Sequence, residues 1–527
     1  MDSNIDNLFN DLNRNKKTET VLTIIVILLV VGVIGVGVYF YMNRDKNNNV
    51  EIDANDNKKY SSEYRMEDNN LGEFDLAFLK LENEGVNKVY SPLAIKYALA
   101  MLNDGTDGDS NGQIKAVIGD YKAKRYTNSN NLSLANAFFV RDSFKDAVKQ
   151  EYTDTLVSKY NADVIYDSFT SNEVINKWVK DKTLGLIDNL VDKTDELDFV
   201  LANALAIDME WTNQIRAVDK DYRVSFKHEH YDMHLSSLVE SGYSSLNFNN
   251  DNMKAKSVRI GAIANKYDIV SALGEDAIRN NIKEKYSEWL KSDEAATCSV
   301  DQGDVDTYVN KYIEDIKSNY NHISSSTDFK FYNDDNVRVF AKDLKEYDGT
   351  TLQYVGIMPR NVSLDEYIKN IKSSDVNVLI NNLKPVEYDS FKEGVITEVY
   401  GSIPLFKFDY ELNLINDFSK LGITNVFDEK KADLSKLSSY KPNVYIMDAR
   451  HKANIEFSNN GIKAAAATSL SGGKGAGGSC VFDYLYDVPV EKIDLTFDNP
   501  YMFIIRDKNT GEVWFTGTVY EPELYSE

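Results

Sequence analysis

The chain has 527 residues, a formal net charge of −24 and two cysteines. The negative charge argues against a nucleic-acid partner, because phosphate binding needs clustered Lys and Arg side chains. Two cysteines make no disulfide framework, and Cys298 and Cys480 are interpreted as free thiols rather than a pair. A hydrophobic share of 43% permits a large core plus appendages. Abundant Asn, Lys and Ile with 8 Pro indicate an AT-rich and therefore bacterial genome.

Residues 21–42 contain no charged side chain and are long enough to cross a hydrocarbon core of about 30 Å as a helix. The apolar run is too long for a cleaved signal peptide and lacks a small-residue cleavage site. Three basic residues precede it and two follow it, so residues 1–20 are predicted to be cytoplasmic. We therefore expect a single-pass cell-membrane protein whose large domain is extracellular.

Residues 43–72 are rich in Asn, Asp, Lys and Glu, a composition typical of a flexible polar linker. Helical periodicity begins directly after it, where apolar residues recur from Phe74 to Leu81. The first half of the following domain is predicted to be mainly helical and the last third rich in strands, as in residues 501–505. This distribution predicts an α+β architecture.

The segment 461–469 combines four consecutive alanines with an unusual context. Alanine has the highest helix propensity, yet a strand-like run precedes this segment and a glycine-rich segment follows it. Small side chains beside a flexible loop suit a segment that must enter a narrow gap. Strand pairing is therefore favoured over helix here.

Signs of catalysis are weak. The glycine-rich run 472–478 lacks the GK[ST] ending of a phosphate-binding loop. Cys480 could be a nucleophile with His451 as its base, but a glycine-rich loop cannot hold the two in a fixed geometry. We predict no enzymatic turnover, no cofactor and no small-molecule substrate.

A series of motifs, in one consistent order across about residues 73–523, resembles the serpin superfamily. The matching segments are Ser91-Pro92-Leu93-Ala94-Ile95, Asn176-Lys177-Trp178-Val179, Asn203-Ala204 with Trp211, Leu421-Gly422-Ile423-Thr424-Asn425-Val426-Phe427, Ala432-Asp433-Leu434-Ser435, His451-Lys452-Ala453, the alanine run, and Gly517-Thr518-Val519-Tyr520-Glu521-Pro522.

This resemblance implies a serpin fold over residues 73–527, with a large central mixed sheet, smaller sheets and an exposed reactive-centre loop at about 459–490. It also implies a reactive-loop hinge, which is the part of that loop that enters the main sheet. The hinge residues are Asn459, Asn460, Gly461, Ile462, Lys463, Ala464, Ala465, Ala466, Ala467 and Thr468. The residues implied for the region where the sheet opens are Ser91, Asn203, Trp211 and His451.

The family resemblance also bears on two other segments. His228, His230 and His234 have metal-like spacing, but they fall where the family has an ordinary strand pair, so no metal site is predicted. The chain is longer than the family needs at about 258–325, and apolar spacing there predicts two amphipathic helices in a surface insertion. Two interpretations of this insertion are kept: it binds a partner, or it has no role.

The implied mechanism is suicide inhibition of a serine protease. In this family the protease cleaves the loop and becomes acylated, and the freed hinge inserts as a new strand that carries the protease with it. Alternate hinge positions must then face the core, and they are all apolar or small: Ile462, Ala464, Ala466, Thr468 and Leu470. Lys463 is predicted to lie on the opposite, solvated face.

Two positions are predicted for the cleaved bond, because the loop is longer than the family norm. Counting from the hinge places it at Gly475–Ala476, whereas counting back from Phe497 places it after Pro489. The hinge count is preferred, since slack before the cleaved bond would let the protease escape. Lys474 would suit a trypsin-like protease. Small residues, namely Gly475, Ala476 and Cys480, would suit subtilisin- or elastase-like enzymes.

A non-inhibitory serpin that serves as a binding or surface-interaction module is the alternative. Asn459 and Asn460 stand where inhibitors of this family usually carry Glu, and Ala94 replaces a usual serine. These departures and the long glycine-rich loop favour the alternative, whereas the alanine run favours inhibition.

Overall fold

The computed structural model describes residues 60–215, 224–226, 253–265, 268–292, 305–318, 322–325, 329–385, 392–440, 444–463 and 490–523. Within these ranges the helices are α1 (Glu73–Leu81), α2 (Pro92–Gly105), α3 (Gly108–Ile118), α4 (Gln150–Tyr160), α5 (Glu173–Lys182), α6 (Ile269–Leu273), α7 (Glu275–Trp289), α8 (Val305–Ser318), α9 (Leu364–Asn370), α10 (Ser373–Asn381) and α11 (Leu414–Lys420).

Strands lie between the helices along the chain and are frequent in its last third. They are β1 (Lys88–Tyr90), β2 (Leu132–Arg141), β3 (Asp163–Asp167), β4 (Phe199–Glu210), β5 (Val224–Phe226), β6 (Met253–Ala255), β7 (Ser257–Asn265), β8 (His322–Ser325), β9 (Phe329–Asn333), β10 (Val337–Asp343), β11 (Leu352–Pro359), β12 (Lys384–Pro385), β13 (Ile396–Pro404), β14 (Phe406–Asn413), β15 (Arg450–Phe457), β16 (Gly461–Lys463), β17 (Val490–Asp494), β18 (Tyr501–Asp507) and β19 (Val513–Val519).

These strands form three larger sheets. A six-stranded sheet has the order β14-β15-β16-β4-β2-β3, and a seven-stranded sheet has the order β1-β19-β18-β11-β10-β9-β12. A four-stranded sheet has the order β17-β13-β7-β8. The six-stranded sheet is mixed, because β3 runs parallel to β2 whereas the other pairs are antiparallel. The predicted α+β class and large mixed sheet are confirmed.

Two apolar clusters lie on opposite faces of the six-stranded sheet. The larger one contains Leu205, Ile207 and Met209 of β4 together with the seven-stranded sheet, α1 and α2. The smaller one contains Ala202 and Ala204 of the same strand together with residues of α5. Because successive side chains of a strand point to opposite faces, odd-numbered residues of β4 face the main core and even-numbered ones face α5.

The predicted mainly helical first half is only partly right, since β2, β3 and β4 also lie there. Strand β2 is covered on both faces, and most of its residues are buried. A strand buried on both sides has a nearly continuous apolar run instead of strict alternation, so its period is hard to recognise. The predicted helix after residue 72 is confirmed as α1.

Of the predicted linker 43–72, residues 60–72 are described, and there the prediction of a flexible polar segment is wrong, because Met66 and Leu71 are buried in the main core. Residues 1–20, the predicted transmembrane helix 21–42 and residues 43–59 lie outside the described residues. Among the described residues, no helix is both long and apolar enough to cross a membrane. The predicted helices within 258–325 are present as α7 and α8, and Ile278, Ile282 and Ile313 are buried there. The role of this segment as a surface insertion stays a prediction.

A buried ionic cluster joins distant parts of the chain. The Nζ of Lys96 on α2 lies 2.8 Å from Oδ1 of Asp75 on α1 and 2.8 Å from Oε1 of Glu512, and all three side chains are fully buried. Burial raises the pKa of Asp75 to about 6, with Glu512 adding to the rise and Lys96 opposing it. The ammonium of Lys96 therefore lies between two buried carboxylates, and Lys124, whose Nζ is 3.1 Å from Oε2 of Glu512, supplies a second positive charge.

Replacing Lys96 with Met should lower the free energy of unfolding by about 3–5 kcal/mol, because the buried carboxylate of Asp75 loses its counter-ion and Glu512 keeps only Lys124. Urea unfolding of the purified protein measures this change. Lys80→Met is the matched control. Lys80 pairs with Glu73 at 2.8 Å, but both side chains are partly exposed, and such a pair is worth about 1 kcal/mol or less. Equal losses in the two variants would contradict the prediction.

Candidate functional site

The first three residues described from the alanine-rich segment form a strand between β15 and β4. In β16, Ile462 lies opposite Phe457 of β15 and Met209 of β4, and the pairing is antiparallel on both sides. Only β16 separates the two longer strands, and the residues after Lys463 lie outside the described residues. We call the space between β15 and β4, from Lys463 to the beginning of both strands, the slot.

The chain enters the slot through a tight turn at Ser458. The Oγ of Ser458 accepts hydrogen bonds from the N–H groups of Asn460 and Gly461, both at 3.3 Å. The N–H of Ser458 in turn donates to the carbonyl of Gly461 at 3.0 Å. Such side-chain bonds to nearby backbone are typical of Ser in turns. They reverse the chain so that β16 runs back alongside β15.

Trp211 holds this turn from the end of β4. Its Nε1 donates to the carbonyl of Ser458 at 2.9 Å, and its N–H donates to the carbonyl of Asn460 at 2.9 Å. The indole is fully buried and packs against Phe457 and Tyr354, with ring centroids 5.5 and 6.1 Å away. The carbonyl of Asn459 is bonded as well, by the N–H of Ile215 at 2.9 Å. The first part of the hinge is thus fixed by backbone bonds rather than by the Asn side chains.

Gly461 allows the close approach of β16 to β4. A Cβ at this position would lie 2.1 Å from the carbonyl oxygen of Met209 and 2.7 Å from Cα of Glu210. Real Cβ atoms do not come so close to backbone, so only glycine fits without a shift of the strands. Ile462, the next residue, is buried, as the predicted inward position requires.

Ser91 and His451 meet on the β15 side of the slot. The N–H of Ser91 donates to Nε2 of His451 at 2.9 Å, and Oγ of Ser91 caps α2 by accepting from the N–H of Ala94 at 3.0 Å. Since Nε2 accepts, the neutral ring carries its proton on Nδ1. Burial lowers the pKa of His451 to about 4, so the imidazole is neutral at physiological pH.

Asn203 lies on the β4 side of the slot. Its Nδ2 donates to Oδ1 of Asn136 at 2.7 Å, and Nδ2 of Asn136 donates to the carbonyl of Tyr160 at 2.9 Å. The Oδ1 of Asn203 is buried and has no hydrogen-bond partner among the described residues. A buried acceptor without a partner is uncommon and marks a site that another group could complete.

The structure therefore places the predicted sheet-opening residues in two groups. Trp211 contacts the hinge where it enters the sheet, whereas Ser91, Asn203 and His451 lie farther along the slot. The remaining predicted positions lie outside the described residues, namely Ala464, Ala465, Ala466, Ala467, Thr468, Lys474, Gly475, Ala476 and Cys480, as do His228, His230 and His234. Sequence reasoning missed Ser458 and Asn136, because both act through backbone or amide bonds that leave no motif.

The chain belongs to the serpin family. The family model described as "Serpin (serine protease inhibitor)" matches residues 73–296 and 311–522, which is most of the chain. A serpin-like protein of Methanosarcina acetivorans is 22% identical over 86% of this chain and 87% of its own length. The human leukocyte elastase inhibitor is 28% identical over 35% of this chain and 45% of its own length.

Solved structures agree in fold. The thermophilic serpin tengpin in its native state has a TM-score of 0.55 and 22% identity, over 89% of this chain and 99% of that one. Human thyroxine-binding globulin in complex with its ligand has a TM-score of 0.53 and 15% identity, over 85% and 97%. The predicted serpin fold is confirmed. The named relatives are archaeal and animal, so the bacterial origin stays a prediction.

His451 should make stability depend on pH in a defined window. Its folded pKa, about 4, lies below the unfolded value of 6.5, so its contribution is complete above pH 6.5 and is lost as pH falls towards 4. Wild-type protein should lose up to about 1.4 kcal/mol per pH unit more than His451→Gln across this window. The comparison with the variant cancels the opposing titration of Asp75. Parallel pH profiles in urea unfolding would refute a neutral buried ring.

Proposed function

We propose that this protein inhibits serine proteases as a suicide substrate, by inserting its cleaved loop into the six-stranded sheet. The observation that carries the proposal is β16. Its three residues already pair with β15 and β4 in the slot, and the alanine-rich remainder of the hinge follows directly in the sequence. Insertion would extend a strand that has begun.

The register of β16 assigns a place to each later residue. Continued in the same antiparallel register, Thr468 lies opposite Asn203 on β4 and opposite His451 on β15. Side chains that lie opposite each other in a sheet share a face, so Thr468 would point to the main core as Ile462 does. Ala464 and Ala466 fall on the same face, and both are small enough to enter a closing gap.

The flanking strands also support one choice of cleaved bond. In the continued register, the first residue of β15, Arg450, lies opposite Ser469, and the first residue of β4, Phe199, lies opposite Gly472. The new strand would therefore leave the sheet shortly before Gly475. This supports cleavage at Gly475–Ala476 over cleavage after Pro489, since a protease attached there would sit at the sheet's end. Trypsin-, subtilisin- and elastase-like enzymes are the proposed target classes.

The alternative is a non-inhibitory serpin with a cleavable loop and a binding role. The observation in its favour is the set of backbone bonds at the entrance, where Trp211 and Ile215 hold the carbonyls of Asn460 and Asn459. If these bonds held the hinge too firmly, insertion would stop at three residues. The protease would then complete hydrolysis and dissociate from the cleaved loop. The same bonds would suit inhibition if cleavage released enough energy to open the strands below them.

Incubation of the full chain with a panel of trypsin-, elastase- and subtilisin-like proteases tests the proposal. We expect a covalent complex that survives denaturing electrophoresis, and a large rise in Tm when the loop is cleaved without complex formation. Ala466→Glu should abolish both, because a carboxylate at an inward position cannot be buried without a partner. Ala466→Ser, which keeps a small and uncharged side chain at the same position, is the control and should retain both.

Cleavage without complex, and with no rise in Tm for the wild-type protein, would support the non-inhibitory alternative. Complex formation by Ala466→Glu would contradict the register, while leaving inhibition itself intact.

We propose further that residues 21–42 anchor the protein in the cell membrane with the serpin domain outside. The support is the uncharged length of this segment and the distribution of basic residues around it. The full chain should sediment with membranes and lose its serpin domain when intact cells are treated with protease. Deletion of residues 21–42 should move it to the soluble fraction. Soluble full-length protein, or protection from external protease, would refute this arrangement.

A further inference from the structure

A cavity of about 190 Å³ lies at the end of the slot farthest from β16. Its walls include the beginning of β4 and the segment before it, the segment that leads into β15, α2 and α11. The apolar residues that define these walls are Leu201 on β4, Ala449 before β15, Ala98 and Leu102 on α2, and Phe418 on α11. Charged side chains at its lining are Asp198, Asp448 and Arg450.

The register of β16 leads to this cavity. Continued to Leu470, it places that residue opposite Leu201 and opposite Ala449, both of which line the cavity. Leu470 is an even number of residues from Ile462, which is buried in the main core, so its side chain would point inward. Leu470 is seven residues from Lys463, and their register partners on β4, Leu201 and Asp208, are also seven residues apart. At about 3.3 Å per residue the two segments have the same length.

The cavity also has the size and character for a leucine side chain. An apolar cavity of about 150 Å³ can hold a benzene ring, so 190 Å³ accommodates a branched four-carbon side chain with room to spare. The guanidinium of Arg450 is already bonded to Asp192 at 2.9 Å and to Asp448 at 3.1 Å. Its charge is therefore balanced at the lining, and the apolar walls from α2, α11 and β4 remain to be filled.

We infer that this cavity is the seat for the side chain of Leu470 in the cleaved protein, and that Leu470 fixes how far the new strand inserts. The inference rests on the proposed loop insertion and goes beyond it by naming the residue and the site that complete it. In the intact protein the cavity leaves apolar surface without packing. In the cleaved protein Leu470 fills it and secures the far end of the strand.

Leu470→Ala tests the inference in the full chain. After loop cleavage, its Tm, read in a fixed concentration of guanidinium chloride, should be about 2–5 °C below that of cleaved wild-type protein. The Tm of the intact forms should be equal. Ser471→Ala is the matched control, because the next residue faces outward, and its cleaved form should match wild type. Equal values for cleaved Leu470→Ala and wild type would overturn the inference.

Ala98→Leu provides a reciprocal test from the cavity wall. The larger side chain should fill part of the cavity, so the cleaved form should lose stability and Leu470→Ala should cost less in this background. Additive effects of the two substitutions would show that the residues do not meet. Failure of the proposed function gives a different result, because cleaved wild-type protein would then show no rise in Tm at all.

Discussion

The pairing of the three residues of β16 with β15 and β4 is the contact on which the proposed loop insertion depends. At this point the six-stranded sheet is complete, whereas along the slot β15 and β4 have no strand between them in the described part of the chain. Gly461 permits the approach, and Trp211 fixes the turn before it. The segment that would close the slot under the proposed mechanism therefore begins at β16, between the two strands.

The energy available from closing the slot is large on the scale of protein stability. A strand of about 15 residues adds on the order of a dozen backbone hydrogen bonds, each worth about 1 kcal/mol net. This sum rivals the stability of an ordinary domain, about 5–15 kcal/mol. Under the proposed mechanism, an intact protein that lacks these bonds would be a kinetically trapped state. The trap depends on a loop whose two ends are fixed in different sheets, at β16 and at β17.

Sequence reasoning predicted those features that have local or periodic signals. The helix α1 and the α+β class followed from apolar spacing, and the inward position of Ile462 followed from the family resemblance. It could not predict the pairing of β16, because Met209 and Phe457 meet Ile462 from segments about 250 residues apart. Lys96 is similar: its partner Glu512 lies 416 residues away, so nothing near Lys96 in the sequence marks it as buried.

The polar side chains along the slot indicate that an inserted strand would contribute a hydrogen bond as well as packing. Ser91 and His451 satisfy each other on one side, and Asn203 bonds to Asn136 on the other. The Oδ1 of Asn203 still lacks a donor, and a buried acceptor left in this way costs about 1–3 kcal/mol. The residue that the register brings opposite it is Thr468, whose hydroxyl can donate. Within the described residues, the sheet thus carries an unmet hydrogen bond at the position where the hinge would bring its first inward-facing side chain able to donate one.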